Sequence, residues 1–208
     1  RARAPPHMAY DIERYLNVRS AGGPTFGPDG QLAFTMDTTG VAQVWRLDES
    51  REWPAQLSFH EESVSFASYS PTRDELVYGM DRGGNERTQL YRLTGDGSDE
   101  VALTDDPETI HSWGGWSHDG DAFAFAANRR DEGHFDAYVQ RRDEAGPDAA
   151  DLVFDGSESD LCSLAGWSPS DDRLLVHETH SNRSHDLHLT HLDGDVTHLT
   201  ADHEGEMR

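Results

Sequence analysis

One short motif recurs four times along this chain of 208 residues. In each copy an aromatic residue opens a turn rich in Ser, Pro, Asp and Gly, and the copies lie 43, 47 and 51 residues apart. A period of about 40 to 50 residues is typical of a protein built from equivalent structural units. The residues that we assign to these structural turns are Phe26, Asp29, Gly30, Tyr69, Pro71, Trp116, Asp119, Gly120, Trp167 and Pro169.

The same pattern of short apolar segments follows each turn. In the second copy, residues 76–78 and 90–93 are apolar stretches separated by a polar turn with two glycines and an asparagine. Short apolar runs bounded by such turns predict antiparallel strands joined by hairpins. Four strands in each unit at this period predict an all-β fold, a β-propeller with four four-stranded antiparallel blades. The predicted blades are residues 21–58, 64–104, 111–154 and 162–200.

The two ends of the chain differ from the repeats. Residues 1–20 read as an N-terminal tail with a short helix at 10–19, and residues 201–208 resemble the start of a fifth blade. No fifth aromatic turn follows, so we interpret the chain as an incomplete, open propeller. The end blades of such an arc expose apolar faces and unpaired strand edges, which favour self-association.

The charge of the chain is strongly acidic. It has 40 Asp and Glu residues against 17 basic residues, all of them arginine, and a formal net charge of −23. Such a surface repels nucleic acids and anionic membranes, so we predict neither as a partner. No segment approaches the ~18 apolar residues of a membrane span. The composition resembles that of cytoplasmic proteins from halophiles, and we predict adaptation to molar salt and a cytoplasmic location.

The repeat also resembles a known family. The aromatic-Ser-Pro-Asp-Gly turn and a closing Leu-Thr, as at Leu103 and Thr104, are similar to the TolB-type propeller repeat. The leader at residues 10–20, running directly into 24–30, resembles the N-terminal propeller of the prolyl oligopeptidase and acylaminoacyl-peptidase group. The motif departs from that pattern at Gly27, His118, Phe154 and Asp155.

This resemblance implies a serine peptidase whose catalytic Ser, Asp and His lie in a later α/β-hydrolase domain. The propeller would then filter peptide substrates and contact that catalytic domain, its expected partner. No Gly-x-Ser-x-Gly nucleophile motif occurs in the chain. A stand-alone TolB-like propeller that binds a protein partner is the alternative, because both classes share the repeat.

Several residues suggest chemistry but have simpler interpretations. Ser117, His118 and Asp119 are sequence neighbours on one tight turn, whereas catalytic triads are assembled from separated segments. Cys162 has no cysteine to pair with, and apolar neighbours predict a buried thiol. The adjacent Glu61 and Glu62 are candidates for holding a peptide amine, although a solvated loop explains them better.

Histidines crowd the C-terminal part of the chain. The spacing of His177 with His180, and of His188 with His191, is that of metal ligands. Side chains alternate along a strand, however, so His188 and His191 are predicted to face opposite sides of a sheet. The acidic turns at Asp29 and Asp119 lack the loop spacing of a calcium site. We therefore predict no catalytic residue, cofactor or metal site in this chain.

Overall fold

The computed structural model describes residues 19–48, 53–159, 161–181 and 183–201. These residues form sixteen β-strands and no helix. The predicted helix at 10–19 and the predicted fifth blade at 201–208 lie outside the described residues, apart from Arg19 and Ala201. The strands are β1 Ala21–Phe26, β2 Leu32–Met36, β3 Gln43–Leu47, β4 Ala55–Gln56, β5 Val64–Tyr69, β6 Glu75–Met80, β7 Gln89–Thr94, β8 Glu100–Ala102, β9 His111–Trp116, β10 Ala122–Asp131, β11 His134–Arg141, β12 Ala150–Phe154, β13 Leu161–Trp167, β14 Arg173–Ser181, β15 Ser184–His191 and β16 Val196–His198.

The strands form four separate sheets of four strands each. Each sheet is an antiparallel meander in chain order: β1 to β4, β5 to β8, β9 to β12, and β13 to β16. This order follows from the short polar turns, which allow each strand to pair with the next one along the chain. The predicted all-β architecture with four four-stranded antiparallel sheets is confirmed.

Three hydrophobic clusters join consecutive sheets. Val44 of the first sheet packs with Leu76 of the second, and Val77 of the second packs with Phe123 of the third. Phe154 of the third sheet packs with Leu174 of the fourth. Within the described residues these clusters connect the first sheet to the second, the second to the third and the third to the fourth. The sheets therefore form an open series stabilised by apolar burial between neighbours.

A repeated polar contact closes each of the first two sheets. The Ser58 hydroxyl accepts a hydrogen bond from the Val44 amide at 2.8 Å and donates one to Gln43 Oε1 at 2.9 Å. Thr104 makes the equivalent contacts with the Leu90 amide and Gln89 Oε1, at 2.9 and 3.1 Å. The hydroxyl after the last strand therefore satisfies buried polar groups at the start of the third strand.

Candidate functional site

The antiparallel order gathers two kinds of loop at opposite ends of the sheets. The turn between the first and second strands and the turn between the third and fourth lie at one end, here called the turn end. The hairpin between the second and third strands and the link to the next sheet lie at the other, here called the connection end. Because binding residues are concentrated on loops, these two loop sets are the first places to look for a binding surface shared by the four sheets.

At the turn end, the repeat turns of neighbouring sheets are hydrogen-bonded to one another. Thr72 Oγ1 donates to the Asp119 carbonyl at 2.9 Å, and Arg73 Nη1 donates to the Gly120 carbonyl at 2.7 Å. The Asp171 carboxylate accepts hydrogen bonds from the backbone amides of His118 and Asp119, at 2.9 and 3.0 Å. The turns thus hold the second, third and fourth sheets in register.

The turns themselves require an unusual backbone. Gly30 and Gly120 have φ values of 85° and 69°, a left-handed conformation that glycine adopts without strain. Asp119 Oδ1 accepts hydrogen bonds from Ser117 Oγ and from the Asp121 amide, at 2.7 and 2.9 Å, which closes its turn. The Asp-Gly pair of the repeat therefore has a backbone role.

The aromatic residues of the motif contact the preceding sheet. Trp116 Nε1 donates to the Ser68 carbonyl, and Trp167 Nε1 donates to the Gly115 carbonyl, both at 3.1 Å. Tyr69 is 4% exposed, whereas Phe26 of the first sheet is 68% exposed. An aromatic ring with one polar atom suits this position because it fills the space between sheets and still satisfies a backbone group.

The residues considered for catalysis are not assembled into a catalytic site. Ser117 Oγ donates to Asp119, while His118 Nδ1 lies 2.6 Å from Asp171 of the next turn. His118 therefore pairs with a carboxylate in another sheet and does not orient the serine. Cys162 is 1% exposed, and burial raises the pKa of its thiol to about 12, so the thiol is protonated at neutral pH.

The paired glutamates also do not form a shared site. Glu61 is exposed, while the Glu62 carboxylate accepts a hydrogen bond from the Gly83 amide at 3.3 Å. The backbone carbonyl of Glu62 accepts one from Gln43 Nε2 at 3.0 Å. This segment therefore links the first and second sheets.

The connection end carries an open polar cleft of about 330 Å³ between the second and third sheets. Three arginines and four acidic residues contribute to it, so it offers donors and acceptors side by side. Such a surface offers hydrogen bonds and ion pairs to a polar ligand rather than contacts to an apolar one. Its lining residues are Arg87, Asp106, Glu108, Thr109, Asn128, Arg129, Arg130, Asp131 and Glu132.

Arg129 is held rigidly at this cleft. Its guanidinium carbon lies 4.9 Å from the centre of the Phe125 ring and 5.1 Å from that of Tyr138. Its Nε donates to His111 Nε2 at 3.3 Å, and His111 Nδ1 donates to the Thr88 carbonyl at 3.1 Å. Burial, together with the charge of Arg129, lowers the pKa of His111 to about 4, so the ring is neutral at neutral pH.

The histidines do not form the pairs that their spacing suggested. His177 stacks on His185, with ring centres 5.0 Å apart. His188 instead pairs across the sheet with His198, and their ring centres are 4.3 Å apart. Sequence spacing missed this second pair because its members lie on neighbouring strands, and only the register of β15 with β16 brings them together.

The chain is similar in structure to proteins of two kinds. It aligns over 86% of its length with TolB from Acinetobacter baumannii, with a TM-score of 0.62 and 16% identity, and covers 43% of that chain. It aligns over 88% with a prolyl endopeptidase, with a TM-score of 0.69 and 11% identity, and covers 30% of that chain. An acylaminoacyl peptidase aligns over 88% as well, with a TM-score of 0.56 and 15% identity, and 32% of that chain is covered.

Sequence comparison adds little. No family model matches the chain. A U4/U6 small nuclear ribonucleoprotein PRP4-like protein of Arabidopsis thaliana is 30% identical over 71 residues, which is 34% of this chain and 13% of that protein. The chain thus spans less than half of each relative described here.

Among the described residues, no helix is long and apolar enough to cross a membrane. The structural matches show the fold of the described residues, whose four four-stranded sheets form an open β-propeller.

Proposed function

We propose that this chain is the propeller segment of a longer serine peptidase of the oligopeptidase type. The observation that carries the proposal is the alignment of 88% of the chain with 30% of a prolyl endopeptidase, which leaves most of that enzyme outside the match. The described residues contain no assembled triad, so acyl transfer would belong to a hydrolase domain elsewhere in the protein. The propeller would limit access to short peptides and contact that domain.

The connection-end cleft supports a role in handling peptides. Arg87 provides donors for carbonyl or carboxylate oxygens, and Glu108 and Glu132 provide acceptors for amines. Arg87 is already oriented by contacts with Glu108 at 3.0 Å and Glu132 at 3.4 Å. A second candidate, a stand-alone propeller that binds a protein partner, is favoured by the alignment with TolB.

Hydrolysis of peptide nitroanilides distinguishes the two functions. We expect the full-length natural protein to hydrolyse short peptide substrates and the isolated chain to be inactive, because the nucleophile lies outside it. Replacing Arg87 with alanine in the full-length protein should raise KM with little change in kcat. The reason is that Arg87 would stabilise the bound substrate and the transition state by the same amount. Activity of the isolated chain, or an inactive full-length protein that captures a protein partner, would reject the peptidase assignment.

We also propose that the outer face of the fourth sheet is covered by a following blade in the parent protein. Leu161 is 45% exposed on this face, and Leu187 and Leu189 of β15 lie on the same side. In the isolated chain this face should associate with a second copy, because apolar sheet faces left in water favour contact.

Light scattering in high salt should therefore show dimers or larger species. The variant Leu189→Glu should shift the population toward monomer. The matched control is Leu152→Glu, which alters an exposed leucine of the third sheet and should leave the association unchanged. A monomeric wild-type chain at micromolar concentration would contradict this prediction.

A further inference from the structure

The third and fourth sheets enclose a group of histidines and carboxylates, here called the histidine cluster: Glu178, Asp186, His188 and His198. The register pairs Glu178 with Asp186 and His188 with His198. Asp186 and His188 are two residues apart on β15, so all four side chains lie on one face of the sheet. Phe154 of the third sheet packs against this face, with its ring centre 5.1 Å from that of His188.

The distances within the histidine cluster are close to those of a metal site. Ligand atoms of Asp186, His188 and His198 all lie within 4.8 Å of one another, a group that does not include Glu178. His198 Nε2 lies 3.1 Å from Asp186 Oδ1, and His188 Nε2 lies 2.7 Å from Glu178 Oε2. Ligand atoms around a tetrahedral Zn²⁺ are separated by about 3.3 Å, given bonds of about 2.0 Å to nitrogen and oxygen. Small side-chain movements would bring these groups to that geometry.

The sister blades provide an internal comparison. The position of Glu178, opposite the start of the third strand, is occupied by Met36, Met80 and Ala127 in the first three blades. At the position of His188, the first three blades have the aromatic residues Trp or Tyr. At the position of His198, they have an uncharged residue. The fold itself therefore requires no ionisable group at the positions of Glu178, His188 and His198, whereas the position of Asp186 holds Gln43, Gln89 and Asp136 in the other blades. The sister residues are Trp45, Tyr91 and Tyr138 for His188, and Gln56, Ala102 and Leu152 for His198.

Within the described residues, His188 Nδ1 has no hydrogen-bond partner and Nε2 faces only the Glu178 carboxylate. Both ring nitrogens are buried and form no aligned hydrogen bond, although Nε2 lies close to Glu178. The His188 side chain is 12% exposed and that of Glu178 is 7% exposed. Buried polar atoms in native proteins normally have a partner, so this imidazole is placed for a ligand that the protein atoms do not supply.

Asp186 and its neighbours supply the support that metal ligands need. The Asp186 carboxylate accepts a hydrogen bond from Thr200 Oγ1 at 2.9 Å, as Gln89 Oε1 does from Thr104 in the second sheet, and lies 3.0 Å from His180 Nε2. Hydrogen bonds that orient a ligating carboxylate are characteristic of metal sites in proteins.

We propose that Asp186, His188 and His198 bind one divalent transition metal ion, with Zn²⁺ as the best match and Glu178, which contacts His188, as the fourth ligand. Two imidazoles and two carboxylates suit Zn²⁺, whereas Ca²⁺ and Mg²⁺ favour all-oxygen sites. The bound ion would link β14, β15 and β16 beside the third sheet. Binding to the folded state alone would stabilise the fourth blade by mass action.

The test uses the tag-free chain, treated with chelator and dialysed into the salt that keeps it folded. Titration with ZnCl₂, followed by calorimetry, should show one site per chain and a rise in Tm. Titration with CoCl₂ should produce visible absorption bands of a tetrahedral site. Neither the one-site binding of Zn²⁺ nor the Co²⁺ absorption bands are expected if each histidine binds metal weakly and separately from the others.

Two variants and one control decide the assignment. His188→Tyr introduces the residue of two sister blades, and His198→Ala removes an exposed ligand. Each should weaken Zn²⁺ binding at least about 100-fold while the strand content remains unchanged. The control is His191→Ala, on the opposite face of β15, which should bind as the wild type does. Unchanged affinity in both variants, equal loss in the control, or no Zn²⁺ binding by the wild type would overturn the proposal.

Discussion

Replacing Arg142 with alanine is expected to lower the free energy of unfolding by about 3 kcal/mol, because it leaves a buried carboxylate uncompensated. Glu75 begins β6 of the second sheet and is 6% exposed. Arg142 follows β11 of the third sheet and binds both carboxylate oxygens, with Nε–Oε1 and Nη2–Oε2 distances of 2.7 and 2.8 Å. The remaining cation, Arg92, lies 3.8 Å from Glu75 and is less well placed.

Denaturant unfolding at constant high salt measures this loss. The double variant Glu75→Gln with Arg142→Ala should recover a large part of it, since the uncompensated charge is then gone. The matched control is Arg82→Ala, which breaks an exposed pair with Asp105 at 3.6 Å and should cost at most about 1 kcal/mol. Equal losses for Arg142→Ala and Arg82→Ala would show that the buried pair does not hold the two sheets together.

Dilution of salt should have a comparably large effect on the whole chain. The net charge of −23 is carried by carboxylates on all four sheets, and their repulsion opposes folding. The Debye length is about 3 Å at 1 M salt and about 10 Å at 0.1 M, so concentrated salt screens this repulsion and dilute salt does not. We propose that the protein is salt-adapted and expect it to unfold when dialysed from about 2 M KCl to below about 0.1 M.

Far-ultraviolet circular dichroism against KCl concentration checks this expectation. A variant with Asp143→Asn, Glu144→Gln and Asp148→Asn should unfold at a lower salt concentration, because it removes three exposed carboxylates from the acidic surface. Sucrose at matched osmotic strength should not replace KCl if screening is the cause. A Tm that is the same in dilute buffer and in about 2 M KCl would refute salt adaptation.

Much of the fold was predictable because the repeat is a local signal. Asp29-Gly30 and Asp119-Gly120 specify tight turns through the backbone freedom of glycine, and the spacing of the turns predicts four units. The sequence also indicated that Ser117, His118 and Asp119 do not form a catalytic triad, because the members of a triad come from separated segments of the chain. The closing Leu-Thr was visible as a motif, but its contact with Gln89 was not.

The candidate sites were less predictable because their residues are far apart in sequence. Glu75 and Arg142 are brought together only when the second and third sheets pack. The histidine cluster depends on strand register, and a shift of one residue in β16 would turn His198 to the other face.

The amino-acid sequence by itself therefore determined the class of fold, the number of units and the acidic surface, because each follows from residue type and local spacing. Only the tertiary structure decided which polar groups meet between the sheets. Those contacts depend on packing and register, which no single segment of the chain encodes.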